Sequence, residues 1–203
     1  MAQFKITRAL AAVTAAAAIA GSVGCGDTNA NNPPQTPTSS TTTTSGEAIA
    51  AEHTDGHIAA CVAAATKVEI NQATEALKRS KDSRVRDLAQ RLLADHTSFE
   101  RDEQSLASST GIVPMPDEKS DTRAAKGEIA TTSLGLVNEG DFDKSFLDTT
   151  IKEQQDLLDT LDTRLVPDAR NADLKAMLER TRSKVADDLA AARTIKASLV
   201  YDK

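Results

Sequence analysis

The chain has 203 residues, a formal net charge of −6 and only 2% aromatic residues. An acidic chain with so few aromatic side chains lacks the basic surface and the stacking platforms that nucleic-acid binding needs, which excludes a nucleic-acid partner. The length is sufficient for one domain with a hydrophobic core of its own.

The N-terminal segment predicts an export leader. Two basic residues precede a mostly alanine run at 9–23, which is short for a helix that spans a bilayer with ~20 residues. Small residues then lead directly to Cys25. This layout is typical of a bacterial lipoprotein, in which residues 1–24 form the signal peptide and Cys25 carries the lipid. Because Ser22 replaces the aliphatic residue that the lipoprotein peptidase usually meets, ordinary cleavage to a soluble secreted or periplasmic protein is the alternative.

Residues 25–46 are rich in Thr, Ser, Pro and Asn and are predicted to form a disordered linker. An acidic domain has no basic patch for anionic lipid, so membrane attachment is expected through the acyl chains of Cys25 alone. Gly26, in place of an aspartate, favours the outer membrane. The expected location is therefore the cell envelope, with the domain facing the periplasm.

The second cysteine, Cys61, lies in an alanine-rich apolar stretch and is predicted to be a small buried core residue. A disulfide between Cys25 and Cys61 is the alternative in an oxidising compartment, and lipidation of Cys25 would exclude it.

Residues 47–203 repeat apolar side chains with a helical period and predict an all-α domain of four helices. Helix A runs from an Asp55 cap to Ser80, helix B from an Asp82 or Ser83 cap to Gly111, helix C from Asp141 to Pro167, and helix D from an Asn171 cap to Leu199. Between helices B and C we expect a long crossover with one short helix at 129–137. Short A–B and C–D turns predict an up-down four-helix bundle, whereas the long interruption argues against an extended coiled coil.

His53 and His57 are four residues apart, a spacing that suits metal binding on a continuous helix. Asp55 and Gly56 predict a helix break between them, so we expect a solvated start of helix A and no metal site there.

One polar residue interrupts the apolar stripe of each helix near its middle: Glu69, His96, Gln154 and Asp188. Because the midpoints of helices of similar length fall at one level, these four side chains are expected to form a mid-bundle polar layer. Bundles place metal sites in this way, and Glu69, His96 and Asp188 are candidate ligands for a single divalent metal.

No metal or other cofactor is expected, however, because these ligands are few. The simpler interpretation of the layer is a buried hydrogen-bonded network that fixes helix register, with His96 as the counter-charge for the two carboxylates.

Three segments resemble a known family: Ala89–His96, Gly111–Pro114 and Phe142–Phe146. They resemble the family called domain of unknown function 4142, a ferritin-like four-helix domain of exported bacterial proteins that are often described as outer-membrane proteins. The resemblance covers about residues 55–199. It implies a ferritin-like fold and an exported protein, and it implies no defined activity.

The resemblance also matches Glu69 to a Glu in the first helix of the family, and Asp95 and His96 to its Asp-His pair. The family tends to have a His in the third helix and another in the fourth, where this chain has Gln154 and Asp188. The comparison implies that any metal site of the family is lost or weakened in this chain.

The sequence contains no Gly-rich phosphate loop, nucleophile elbow or Cys-x-x-Cys. We therefore expect a lipid-anchored cell-envelope protein that is not an enzyme, whose domain is a binding or structural module. The sequence is compatible with an envelope protein as a partner, but it identifies neither that partner nor the oligomeric state. The alternative function is binding of iron, manganese or zinc, or metal-dependent redox chemistry, at the mid-bundle layer.

Overall fold

The computed structural model describes the backbone of residues 43–199 and the side chains of residues 54–199. The predicted signal peptide, Cys25 and residues 26–42 of the predicted linker lie outside the described residues. The described segment is helical and contains no strand: α1 (Thr43–Arg79), α2 (Ser83–Thr110), α3 (Glu118–Leu136), α4 (Glu139–Thr160), a π-helical turn (Leu161–Leu165), α5 (Val166–Asp168) and α6 (Ala172–Ser198). The all-α class is confirmed.

Helices α1, α2, α4 and α6 correspond to predicted helices A to D and form the bundle. Helix α1 packs against α2, α4 packs against α6, and α2 also packs against α6. None of the helices in the described part of the chain is long and apolar enough to cross a membrane.

The crossover contains a whole helix of 19 residues, α3, where a short one at 129–137 was predicted. The apolar pattern of α3 is weak because its buried residues are Ser120, Gly127 and Leu134, of which only Leu134 is a large apolar side chain. Helix α3 packs mainly against α1 and touches α4 only slightly.

Three of the predicted helix ends are confirmed by their hydrogen bonds. The Asp82 carboxylate accepts from the backbone N–H of Arg84 at 2.9 Å, at the start of α2. Gly111 ends α2 with a φ of 77°, a left-handed conformation that glycine adopts at little cost. The Asn171 side chain accepts from the backbone N–H of Leu174 at 3.0 Å, at the start of α6.

The predicted start of helix A is wrong. Helix α1 begins at Thr43 and continues through Asp55 and Gly56. The Asp55 carboxylate is buried and accepts the backbone N–H groups of Arg170 at 2.9 Å and Asn171 at 3.0 Å, so it serves the turn before α6.

Gly56 does not break the helix. Its lack of a side chain instead leaves room for Met115. A Cβ on Gly56 would lie 2.8 Å from Cγ of Met115, and the backbone N–H of Met115 donates to the Gly56 carbonyl at 2.9 Å. The predicted break between His53 and His57 is therefore also wrong. The side chain of His53 lies outside the described residues.

Both predicted ends of helix C are shifted. Helix α4 begins at Glu139, with Asn138 as its N-cap, two residues before the predicted Asp141. At the other end, the chain stays helical through the π-helical turn and α5, and Pro167 lies within α5, directly after the π-helical turn.

The apolar core consists of two clusters. One contains Ile58, Val62 and Ala65 of α1 with Leu157, Leu178 and Val185, and the other contains Ala73 and Ala76 of α1 with Leu88, Phe142 and Phe146. Cys61 is buried in the first cluster, as predicted.

Candidate functional site

The four residues of the proposed mid-bundle layer are all buried, with 3% of Glu69 exposed and 0% of His96, Gln154 and Asp188. On each of the four bundle helices, the layer residue lies in the sequence between the residues of the two core clusters. The layer therefore separates one apolar cluster from the other.

His96 and Gln154 are in direct contact within the layer. Their Nε2 atoms are 3.3 Å apart. Because the amide nitrogen of Gln154 can only donate, this assignment requires an unprotonated Nε2 on His96 and a proton on Nδ1. Burial lowers the pKa of His96 to about 4, so the imidazole is neutral at pH 7 and cannot supply the expected counter-charge.

The counter-charge for Asp188 comes from Arg91 of α2. Arg91 Nε donates to Oδ1 of Asp188 at 2.7 Å, while Oδ2 is buried without a hydrogen-bond partner. Burial raises the pKa of Asp188 to about 6, and the positive charge of Arg91 only partly opposes this rise. Sequence reasoning missed Arg91, because 44% of its side chain is exposed and its position resembles that of any other surface arginine.

Glu69 has a different environment from the other three residues. It makes no hydrogen bond to another described residue, although it is only 3% exposed. Its pKa is raised well above the usual value by burial first and then by the negative charges of Glu153 and Asp188, against the positive charge of Arg123.

The three candidate metal ligands do not form a site. His96 directs Nε2 at Gln154, and Asp188 uses Oδ1 to bind Arg91. Between residues 54 and 199, no group of three or more His, Cys, Asp or Glu side chains could hold a metal ion. This part of the chain therefore provides no ligand set for the metal-binding alternative.

Glu69 lines a cavity of about 640 Å³ between α1, α3 and α4. The cavity exists because α3 packs on α1 while leaving a gap to α4. Its apolar wall consists of Cys61, Ala65, Val68 and Leu157. The volume lies within the range of about 300–1,000 Å³ that is usual for small-molecule sites.

A second carboxyl group, Glu153 of α4, also faces this cavity. Gln72 Nε2 donates to Oε1 of Glu153 at 3.2 Å and to Oγ1 of Thr131 at 3.2 Å, and so joins α1 to both α4 and α3. Oε2 of Glu153 is buried and has no hydrogen-bond partner. The pKa of Glu153 is raised, mainly by burial.

The mouth of the cavity is lined by exposed cations: Lys119 and Lys126 of α3, Lys152 of α4 and Arg164 of the π-helical turn. Lys152 Nζ is 2.6 Å from Oδ2 of Asp156. The other three form no ion pair with a described residue. The sequence could not reveal this cluster, because its members are brought together only by the position of α3.

Comparison with known proteins agrees with the resemblance in the sequence. The profile of the family described as Domain of unknown function (DUF4142) matches residues 39–195. No curated protein and no solved structure matches the chain, so the likeness to ferritin stays a prediction. The family match begins before the first residue of α1 and ends in the last turn of α6. The chain therefore belongs to the DUF4142 family.

Proposed function

We propose that this protein is an exported, lipid-anchored envelope protein whose helical domain is a non-enzymatic binding module, with the cavity between α1, α3 and α4 as its binding site. The observation that carries the proposal is Glu69, a buried carboxyl group that lines the cavity and has no hydrogen-bond partner among the described residues. A buried polar group without a partner costs about 1–3 kcal/mol. Oε2 of Glu153, which lines the same cavity, is buried without a partner, and a ligand that donates to it would recover this free energy.

The non-enzymatic part of the proposal is supported by the chemistry of the cavity lining. Its hydroxyl and thiol groups belong to Thr122, Thr149, Thr160 and Cys61. Within the described residues, none of them hydrogen-bonds to a histidine or a carboxylate that could act as a base.

Ligand-observed NMR with a fragment library tests the binding function. Ala130 lines the cavity, so Ala130→Trp fills it, whereas Ala125→Trp places the same side chain on an exposed part of α3 outside the lining. We expect fragments that bind the wild type and Ala125→Trp but not Ala130→Trp. If no fragment binds, or if all hits also bind Ala130→Trp, the cavity is not a binding site.

The anchor is supported by the leader and the linker in the sequence, and mass spectrometry of the mature N-terminus tests it. We expect a lipid-modified Cys25 as the first residue, and membrane association that Cys25→Ser abolishes. An unmodified Cys25, or cleavage at another position, would show that the protein is not a lipoprotein.

Elemental analysis of protein purified without a His tag addresses the alternative of a metal protein. We expect no stoichiometric iron, manganese or zinc. Stoichiometric metal in the wild type that is lost in His96→Ala would refute the proposed function.

A further inference from the structure

We propose that the ligand of this cavity is a small zwitterion with an apolar spacer, whose ammonium group binds between Glu69 and Glu153 and whose anionic group binds Lys119, Lys126 and Arg164 at the mouth. The inference rests on the proposed binding function and names the chemical class of the ligand. It follows from how the charges are arranged with depth in the cavity.

The two carboxyl groups at the inner end of the cavity receive only one hydrogen bond from the described residues. Glu69 has no hydrogen bond to a described residue, and Glu153 has a bond only at Oε1, from Gln72 at 3.2 Å. An ionised carboxylate can only accept hydrogen bonds, whereas an ammonium group has three donors and no acceptor. One ammonium group can therefore satisfy both carboxylates at once.

Arg123 of α3 does not fill this role. Its Nη2 donates to Oγ1 of Thr160 at 2.9 Å, across the gap between α3 and α4. Its positive charge acts on Glu69 and Glu153 without a hydrogen bond to either carboxyl group. The burial of Glu69 outweighs the charge of Arg123. Arg123 therefore leaves Glu69 and Oε2 of Glu153 without a hydrogen-bond donor among the described residues.

The mouth of the cavity carries cations that are unpaired within the described residues and would therefore bind an anionic group. Lys119, Lys126 and Arg164 are exposed, and none has an ion-pair partner in the described part of the chain. Of the two acids at the mouth, Asp156 is paired with Lys152, and Asp159 accepts from Nε2 of Gln155 at 2.7 Å. A carboxylate or phosphate group would bind these cations through charge-assisted hydrogen bonds.

The wall between the two ends is apolar, with Ala65, Val68 and Leu157. A chain of methylene groups would bury its apolar surface against this wall. A fatty acid would leave the inner carboxyl groups without a partner, and a simple amine would leave the cations of the mouth without one. Only a ligand with both charges satisfies both ends.

Three probes of equal chain length test the inference by isothermal titration calorimetry at pH 7: aminooctanoic acid with its amine at the far end of the chain, octylamine and octanoic acid. The protein is the full chain with Cys25→Ser, so that no lipid is attached. We expect the zwitterion to bind roughly tenfold or more tightly than either analogue, since a hydrogen bond to a charged group contributes about 1.5–3 kcal/mol.

Variants assign each end of the ligand. Glu69→Gln should lower the affinity for the zwitterion and leave that for octanoic acid unchanged, whereas Lys126→Gln should lower the affinity for the zwitterion and leave that for octylamine unchanged. Lys175→Gln, an exposed lysine of α6 outside the cavity, is the matched control. Thermal melts of each variant verify the fold, and Lys126 is exposed, so its replacement is not expected to disturb the core.

The results separate this inference from the proposed function. If octylamine or octanoic acid binds as tightly as the zwitterion, or if fragments of another class occupy the cavity while the zwitterion does not bind, the ligand class is wrong and the binding module stands. If neither the probes nor any fragment binds at the cavity, both proposals fail.

Discussion

The mid-bundle layer and the cavity beside it both contain buried polar groups, but these groups differ in whether they have hydrogen-bond partners. In the layer, His96 contacts Gln154 and Asp188 binds Arg91, so three of its four side chains have a partner on another helix, although Nδ1 of His96, Oε1 of Gln154 and Oδ2 of Asp188 are buried without one. In the cavity, Glu69 has no such partner among the described residues. A partnered buried group specifies how the helices pack, whereas an unpartnered one that faces open space indicates a ligand.

The largest expected effect belongs to the layer. His96→Ala should lower the free energy of unfolding by about 3 kcal/mol, because it leaves a cavity and removes the only hydrogen bond that the buried Gln154 amide nitrogen makes to a described residue. Urea denaturation at pH 7 measures the change. Thr97→Ala, a partly buried neighbour on α2, should cost less than about 1 kcal/mol, and equal losses would mean that the layer has no special role.

The next prediction concerns the helix that forms the cavity. A Cβ on Gly127 would overlap with the side chain of Val68, which is β-branched and cannot easily move aside. Gly127→Ala should therefore destabilise the protein by about 1–3 kcal/mol. Gly135→Ala, on the same helix with nothing within 4 Å, should be neutral or stabilise by up to ~1 kcal/mol. If both replacements behave alike in thermal melts, α3 does not pack on α1 at Gly127.

A smaller effect is expected for the ion pair of the layer. Arg91→Gln should cost up to about 1 kcal/mol at pH 8, because Arg91 is 44% exposed and its ion pair is screened by solvent. At pH 5 the cost should nearly vanish, since the pKa of Asp188 is about 6 and the carboxyl group is then mostly protonated. Urea denaturation at the two pH values measures the difference, with the exposed Lys67→Gln as the control. A cost that is equal at both pH values would contradict the assignment of Arg91 as the partner of Asp188.

The replacement Glu69→Gln should change the free energy of unfolding least of all at low pH. At higher pH it should stabilise the protein, whereas the replacements of His96, Gly127 and Arg91 destabilise it. Below the unfolded pKa of about 4.3, Glu69 is protonated in both states and the replacement changes little. As the pH rises towards the raised pKa of the folded state, the wild type loses stability, because the unfolded chain releases the proton more readily than the buried carboxyl group does. The variant should therefore become more stable than the wild type as the pH increases from 5 to 8. A wild type that gains on the variant over this range would mean that Glu69 has a favourable partner.

Local chemistry was enough to predict much of the fold. The caps at Asp82, Gly111 and Asn171 depend on side chains and backbone within a few residues, so the sequence reveals them. Asp55 has the same chemistry, but its carboxylate serves a segment far along the chain, which no local pattern can show. The full length of α3 was missed because two of its three buried residues are serine and glycine.

The site was predictable only where a pattern is interrupted. A polar residue in an apolar stripe is visible in the sequence, and this signal identified Glu69, His96, Gln154 and Asp188. The cavity gives no such signal, since it depends on the distance that α3 keeps from α4. Glu153 and the cations of its mouth resemble ordinary residues of a solvated helix surface until the position of α3 is known.

The contact between Asp55 and the turn before α6 has a consequence for how the chain matures. The carboxylate of Asp55 and its donor on Arg170 are 115 residues apart, so on a ribosome α1 emerges long before its partner does. Contacts between such distant residues form late, after shorter loops have closed. We therefore expect the last helix to complete the domain, and a chain that stops before Arg170 would lack both backbone N–H groups that bind the buried Asp55 carboxylate.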